Sequence, residues 1–175
     1  MTDRVSRVLA AVAASLAVAL LSPPPAPAAA EELVAFADPG YAAGTVVVRT
    51  GERRLYLVIG GGRAFRYTVG VGKPGKQWAG QSRIVRKMVN PAWAPPAEVK
   101  RDNPRLPDLI PGGVPANPLG PAALILAGEE YAIHGTNRPG SVGGFVSYGC
   151  IRMYNRDIVR LFDRVRVGSP VVVLR

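Results

Sequence analysis

Three short apolar runs, each closed by a turn, occupy residues 44–69 and dictate a β meander there. Thr45-Val-Val-Val-Arg49 reads as one strand, Arg54-Leu-Tyr-Leu-Val-Ile59 as a second and Ala64-Phe-Arg-Tyr-Thr-Val69 as a third. β-Branched and aromatic side chains suit a pleated, half-buried surface, and Thr50-Gly-Glu-Arg53 and Gly60-Gly-Gly-Arg63 supply the reversals. Residues 70–120 then exclude long helices and central strands. Lys73-Pro-Gly75, Asn90-Pro-Ala-Trp-Ala-Pro-Pro96 and Leu109-Ile-Pro-Gly-Gly113 remove backbone donors and break any period. This long irregular loop leaves room for a strand at 84–89 and one or two helical turns at 96–101. A segment of that kind inside a compact domain commonly forms a wall or lid of a site.

A second meander follows, with Ala122-Ala-Leu-Ile-Leu-Ala127, a Gly128-Glu-Glu130 turn and Tyr131-Ala-Ile-His134. One segment, 156–164, predicts a helix. Ile158, Leu161, Phe162 and Val165 share a face, Asn155 is a candidate N-cap, and Asp157 in the first turn suits the helix dipole. Val171-Val-Val-Leu174 closes the chain as a buried strand. The expected class is mainly β, with one short C-terminal helix and a long irregular middle loop.

The first 30 residues read as a secretory signal peptide. Arg4 and Arg7 precede the apolar run from Val8 to Leu21, and Ala28-Ala-Ala30 offers a small-residue cleavage site. The run is short for a membrane span, so no stable span is expected after cleavage. Residues 31–43 form a short leader, and one domain extends from 44 to 175. The expected location is outside the cytoplasm, in the periplasm or cell wall.

The chain has one cysteine, Cys150, and one histidine, His134. A single thiol cannot form an internal disulfide, and an exported free thiol is exposed to oxidation, so a chemical role is favoured over packing. An imidazole is the usual base that activates a thiol, and Gly135, Gly140, Gly143, Gly144 and Gly149 let the intervening loop fold back. The backbone at Gly149 and Cys150 would then donate to an oxyanion, as acyl transfer requires. One Cys and one His without clustered carboxylates cannot fill a tetrahedral zinc site, so neither metal nor cofactor is expected. The net charge of +10 reads equally as a surface that draws anionic cell-wall polymers and as a solvated basic surface with no dedicated partner. No nucleic-acid motif appears.

Ile133-His-Gly-Thr-Asn137, Ser147-Tyr-Gly-Cys-Ile-Arg-Met153 and Val167-Gly-Ser-Pro-Val171 together resemble the L,D-transpeptidase catalytic domain, the YkuD family. Asn117-Pro-Leu-Gly120 and the Asn90 to Pro96 block are similar to further family segments. The resemblance implies a β-sandwich-like fold and transfer of peptidoglycan stem peptides. A thiol attacks the carbonyl of the third residue, terminal D-Ala leaves, and an amine accepts the acyl group. It implies Cys150 as nucleophile, His134 as base and a backbone carbonyl beside the base as the third element. Gly149 falls in the oxyanion segment, and Arg152, Ser147, Gly135 and Tyr148 fall at substrate-binding positions. Tyr148 departs from the pattern, which usually has a second histidine there. Gly80-Gln81 departs from a Thr-Pro-x-Gly turn. Hydrolysis at the same Cys/His pair, with water as acceptor, is the alternative reaction. Trp78 and Trp93 read most simply as loop packing, Arg138 as either a carboxylate ligand or a solvated charge, and Lys73 and Lys87 as surface residues.

Overall fold

A computed structural model describes residues 31–128 and 130–175. The signal-peptide segment lies outside these described residues. Eleven strands and two α-helices run in the order β1 (Glu32–Ala35), β2 (Val46–Arg49), β3 (Arg54–Gly60), β4 (Arg63–Thr68), β5 (Val71–Gly72), β6 (Gly80–Val89), α1 (Ala97–Asp102), β7 (Ala122–Leu126), β8 (Ala132–His134), β9 (Phe145–Ser147), β10 (Ile151–Arg152), α2 (Asn155–Arg164) and β11 (Pro170–Leu174). Nine strands form one sheet in the order β1-β4-β3-β2-β11-β6-β7-β8-β10, and β5 pairs with β9 in a second, two-stranded piece.

β6 joins the two halves of the large sheet. Its first residues, Gly80 to Arg83, pair antiparallel with β11, and Ile84 to Val89 pair with β7. An irregularity between Ile84 and Arg86 marks the change of partner, as bulges do where a strand bends between layers. The main core draws on both halves. Val46, Val48, Leu55, Leu57 and Tyr67 come from one, Ile84, Leu124, Leu126, Ile133 and Ile151 from the other, and Ile158, Leu161 and Val165 from α2 and its end. This is the sandwich-like, mainly β architecture that the family pattern implies.

β2 is buried on both faces, which accounts for its unbroken valines. Val46 and Val48 enter the main core, and Val47 joins Phe36, Tyr56, Val58 and Ala64 in a second cluster. That cluster gives the leader a structural part. Glu32–Ala35 pairs antiparallel with β4, and Phe36 seals the second face. The strand shows no apolar alternation because it is a half-solvated edge, held by backbone pairing.

Two other boundaries differ from expectation. β6 starts four residues before 84, because its polar beginning is held by main-chain bonds to β11. In α2 the N-cap is Tyr154, whose carbonyl accepts the Asp157 and Ile158 N–H groups. Asn155 is the first helical residue, and its side chain is used elsewhere, as described below. At the other end of α2, the Lys87 ammonium donates to the Phe162 and Val165 carbonyls at 2.6 and 2.8 Å, so this lysine caps a helix.

The irregular middle segment is stapled by one buried amide. Asn117 Nδ2 donates to the Pro91 and Pro111 carbonyls at 2.8 and 2.9 Å, and its Oδ1 accepts the Leu119 N–H at 2.8 Å. Trp93 and Ile110 exchange backbone bonds across the same loop. Glycine is obligatory at 112, where a Cβ would fall 1.7 Å from the Asn90 carbonyl oxygen.

Candidate active site

β8 ends on His134 and β10 begins one residue after Cys150. The two strands are parallel, with Ile151 opposite Ile133 and Arg152 opposite His134. Ile133 and Ile151 face the core. Strand alternation therefore directs Arg152 and His134 to the opposite face, and Cys150, immediately before β10, has its thiol at the Ala132 backbone, two residues before His134. Met153 N–H donates to the His134 carbonyl at 2.8 Å and locks this register.

His134 is 4% exposed, and its Nδ1 lies 2.7 Å from the Gly135 carbonyl oxygen. A carbonyl only accepts, so Nδ1 carries the hydrogen and Nε2 keeps its lone pair. The Pro118 carbonyl also lies beside the ring and favours its charged form, one residue after the Asn117 staple. Burial, followed by the Arg152 cation, lowers the His134 pKa to about 4 against the pull of these two carbonyls. Burial also raises the Cys150 thiol pKa, opposed by the Ala132 backbone and the Arg152 charge. The resting pair is thus a neutral thiol and a neutral imidazole. The acid limb of kcat/KM is expected near pH 4, below the ordinary histidine value of 6.5, because the base is competent wherever it is unprotonated. Iodoacetamide alkylation of Cys150 should keep climbing above pH 9. An acid limb at pH 6 to 7, or alkylation already at its plateau at neutral pH, would contradict this electrostatic picture.

The turn that carries Cys150 is braced by Ser147 and Trp78. Ser147 Oγ donates to the Cys150 carbonyl at 2.6 Å and accepts the Gly149 N–H at 3.1 Å. Trp78 Nε1–H donates to the Gly149 carbonyl at 3.0 Å, and the Trp78 ring stacks on Tyr131 at 5.0 Å and 9°. Gly149 has φ +125°, and a Cβ there would lie 2.3 Å from Tyr131 Cε1, so only glycine fits. The Gly149 N–H is thus occupied by Ser147 Oγ, and among the described residues the Cys150 N–H has no protein acceptor. Ser147 is buried, with its hydroxyl committed to the backbone of this turn.

Gly135 also serves packing. A Cβ there would meet Asn155 Oδ1 at 2.5 Å and Pro121 Cδ at 2.9 Å. Asn155 Oδ1 accepts the Thr136 N–H at 2.7 Å and so ties α2 to the segment just after the base. Tyr148 points away from base chemistry. Its hydroxyl donates to Asp102 Oδ2 at 2.6 Å, while Lys73 Nζ sits 3.7 Å from its ring centroid and 3.6 Å from the same carboxylate oxygen. The Lys76–Glu98 ion pair adds a second tie to α1. The middle loop is thereby tied to the Tyr148 turn beside Cys150. Lys73, Asp102, Asn117 and Asn155 were not legible as site residues, because their partners lie far along the chain.

Arg152 is half-buried. Its Nη1 donates to Ser141 Oγ at 2.8 Å, and its backbone exchanges bonds with Gly70 at 2.7 and 2.8 Å. Among the described residues its buried Nε has no hydrogen-bond partner. Burial and the neighbouring Arg138 charge lower its pKa. Among the described residues no group of three or more His, Cys, Asp or Glu side chains could hold a metal ion. A depression of about 440 Å³ lies elsewhere, against Phe36, Arg49, Tyr56 and Arg66. Its arginines are paired with Glu52 and Glu32, and it holds no nucleophile.

The YkuD family profile, the L,D-transpeptidase catalytic domain, matches residues 43–173. The chain is similar to "Probable L,D-transpeptidase ErfK/SrfK" of Salmonella typhimurium, at 38% identity over 74% of this chain and 43% of that protein. It is likewise similar to "Probable L,D-transpeptidase YbiS" of Escherichia coli K12, at 38% identity over 72% of this chain and 43% of that protein. The chain thus spans less than half the length of these curated relatives. Among solved structures, an L,D-transpeptidase from Mycobacterium smegmatis superposes with a TM-score of 0.59 at 19% identity, covering 75% of this chain and 58% of that one. An L,D-transpeptidase from Mycobacterium tuberculosis H37Rv gives 0.58 at 15% identity, over 75% and 57% of the two chains. At such identities the superpositions speak for the fold, and the profile match speaks for descent. On these grounds the chain belongs to the L,D-transpeptidase catalytic domain family, YkuD.

Proposed function

We propose that this chain is an L,D-transpeptidase that acts on peptidoglycan stem peptides through Cys150. The observation that carries the reading is the parallel pairing of β8 with β10, which brings Cys150 alongside the strand that ends on His134, with the His134 tautomer fixed by the Gly135 carbonyl so that Nε2 is left to take a proton. His134 Nε2 removes the thiol proton as sulfur adds to the carbonyl carbon of the third stem residue. The carbonyl oxygen becomes an oxyanion beside the Cys150 N–H. Collapse breaks the C–N bond to terminal D-Ala, and the imidazolium returns its proton to that leaving amine. An acceptor amine then attacks the thioester, loses a proton to His134 and releases the thiolate, which is reprotonated. The neutral resting pair makes His134 a general base and not a standing imidazolium.

Arg152 is the anion-binding group in this reading. Its buried, unpartnered Nε is a donor that a stem-peptide carboxylate would satisfy, and a planar guanidinium suits a bidentate carboxylate contact. Residues 1–30 act as an export signal and residues 44–175 as the catalytic domain, which places the reaction in the periplasm or cell wall. Among the described residues no helix is long and apolar enough to cross a membrane. The β-lactam probes come from relatives. The L,D-transpeptidase LdtMt1 has been solved with imipenem, and L,D-transpeptidase 3 of M. tuberculosis with a faropenem-derived adduct.

The direct test is incubation of the purified protein with a tetrapeptide muropeptide and a D-amino acid, followed by mass. A 3→3 dimer, or exchange of terminal D-Ala for the added amino acid, is the expected product. Release of tripeptide alone in the presence of excess amine would make the chain a hydrolase. Arg152→Lys should weaken use of the muropeptide while thiol alkylation stays unchanged, and unchanged muropeptide kinetics would remove Arg152 from the site.

A further inference from the structure

The Gly149–Cys150 peptide is held by a side chain 71 positions earlier in the chain. Trp78 lies in the loop between β5 and β6, where its indole does two things. The Nε1–H holds the Gly149 carbonyl at 3.0 Å, and the ring backs Tyr131, which fills the space a Gly149 Cβ would need. In a trans peptide the carbonyl and the next residue's N–H point in opposite directions. A Gly149 carbonyl drawn to Trp78 therefore turns the Cys150 N–H to the other side of that peptide plane. Among the described residues the Cys150 N–H donates to no protein acceptor. Glycine at φ +125° has no side chain to fix the plane, so the constraint must come from a neighbour.

We propose that Trp78 is a positioning residue for the oxyanion: by holding the Gly149 carbonyl it aims the Cys150 N–H at the oxygen that becomes negative during acylation. The inference rests on Cys150 as nucleophile. It adds a residue that the usual Thr-Pro-x-Gly pattern of this loop does not supply. The indole acts on the reaction only through a peptide plane, so its removal should spare every property of the thiol that does not involve an oxyanion.

Two reactions of the same sulfur separate these effects. Iodoacetamide alkylation forms a sulfur–methylene bond and expels iodide without an oxyanion. Acylation by imipenem forms a sulfur–carbonyl bond and breaks the lactam C–N bond, with the nitrogen taking up a proton, and it passes through an oxyanion. Losing one oxyanion donor costs about 10²–10³ in rate, and a Cys150 N–H that is present but no longer aimed should cost at least about tenfold. Trp78→Phe keeps an aromatic ring on Tyr131 without the donor. Its imipenem acylation is expected to fall by about tenfold or more while its alkylation rate stays within about twofold of wild type. Trp78→Gln keeps an N–H donor without the indole, and its ratio of acylation to alkylation should lie within about threefold of wild type, whether or not the Phe variant folds. The role of Trp78 is overturned if the two rates of the Phe variant fall together, if neither falls, or if the Gln variant loses acylation selectively. A wild-type protein that alkylates but takes no imipenem would instead overturn the nucleophile reading itself.

Discussion

Cys150→Ser is expected to lose turnover by on the order of 10⁴-fold or more, and Cys150→Ala to lose it completely. An alcohol has a far higher pKa than a thiol, and a base held near pKa 4 is too weak to activate it. Burial already raises the thiol pKa, so the native site has little margin for a worse nucleophile. Intact-mass spectrometry after imipenem treatment provides the check. The wild type should gain one adduct and Cys150→Ala none. An adduct that persists in Cys150→Ala would show that another group carries the chemistry. Cys150 packs in a turn whose braces are backbone atoms, Ser147 and Trp78, none of which is the thiol, so these variants should fold and melt like the parent.

His134→Ala is expected to slow acylation by on the order of 100-fold or more, in the range of general-base loss. Tyr148→Phe should lose far less, because its hydroxyl is spent as a donor to Asp102. Stopped-flow acylation by imipenem compares the two directly. Equal losses in His134→Ala and Tyr148→Phe would remove the imidazole from its assigned role. Lys73 and Asp102 sharpen the comparison, since both already engage Tyr148 and hold it against α1.

Both expectations were open to a reader of the sequence because the chain offers one thiol and one imidazole. The strands at 45–49, 54–59 and 64–69 were legible for a similar reason, since β-branched runs and glycine turns are local signals. The edge strand β1 and the polar start of β6 were not, because main-chain pairing needs no particular side chain. Asn155 shows the limit of local rules. Its residue type and position suggested an N-cap, but its amide oxygen is recruited by Thr136 N–H, 19 residues away.

The sequence by itself determined that the chain has one thiol and one imidazole to offer, the β class and the places where glycine must turn the chain. These depend on residue type and near-neighbour sterics, which act over a few positions. Only the tertiary structure decided how the groups are poised. Parallel pairing of β8 with β10 brought Cys150 alongside the strand that ends on His134, and burial moved their pKa values apart. Trp78 on Gly149 and Tyr148 on Asp102 span 71 and 46 positions. A backbone carbonyl is the same acceptor at every residue, so no sequence pattern could name Gly149 as the partner of an indole. Only the folded path of the chain brings the two within hydrogen-bonding distance.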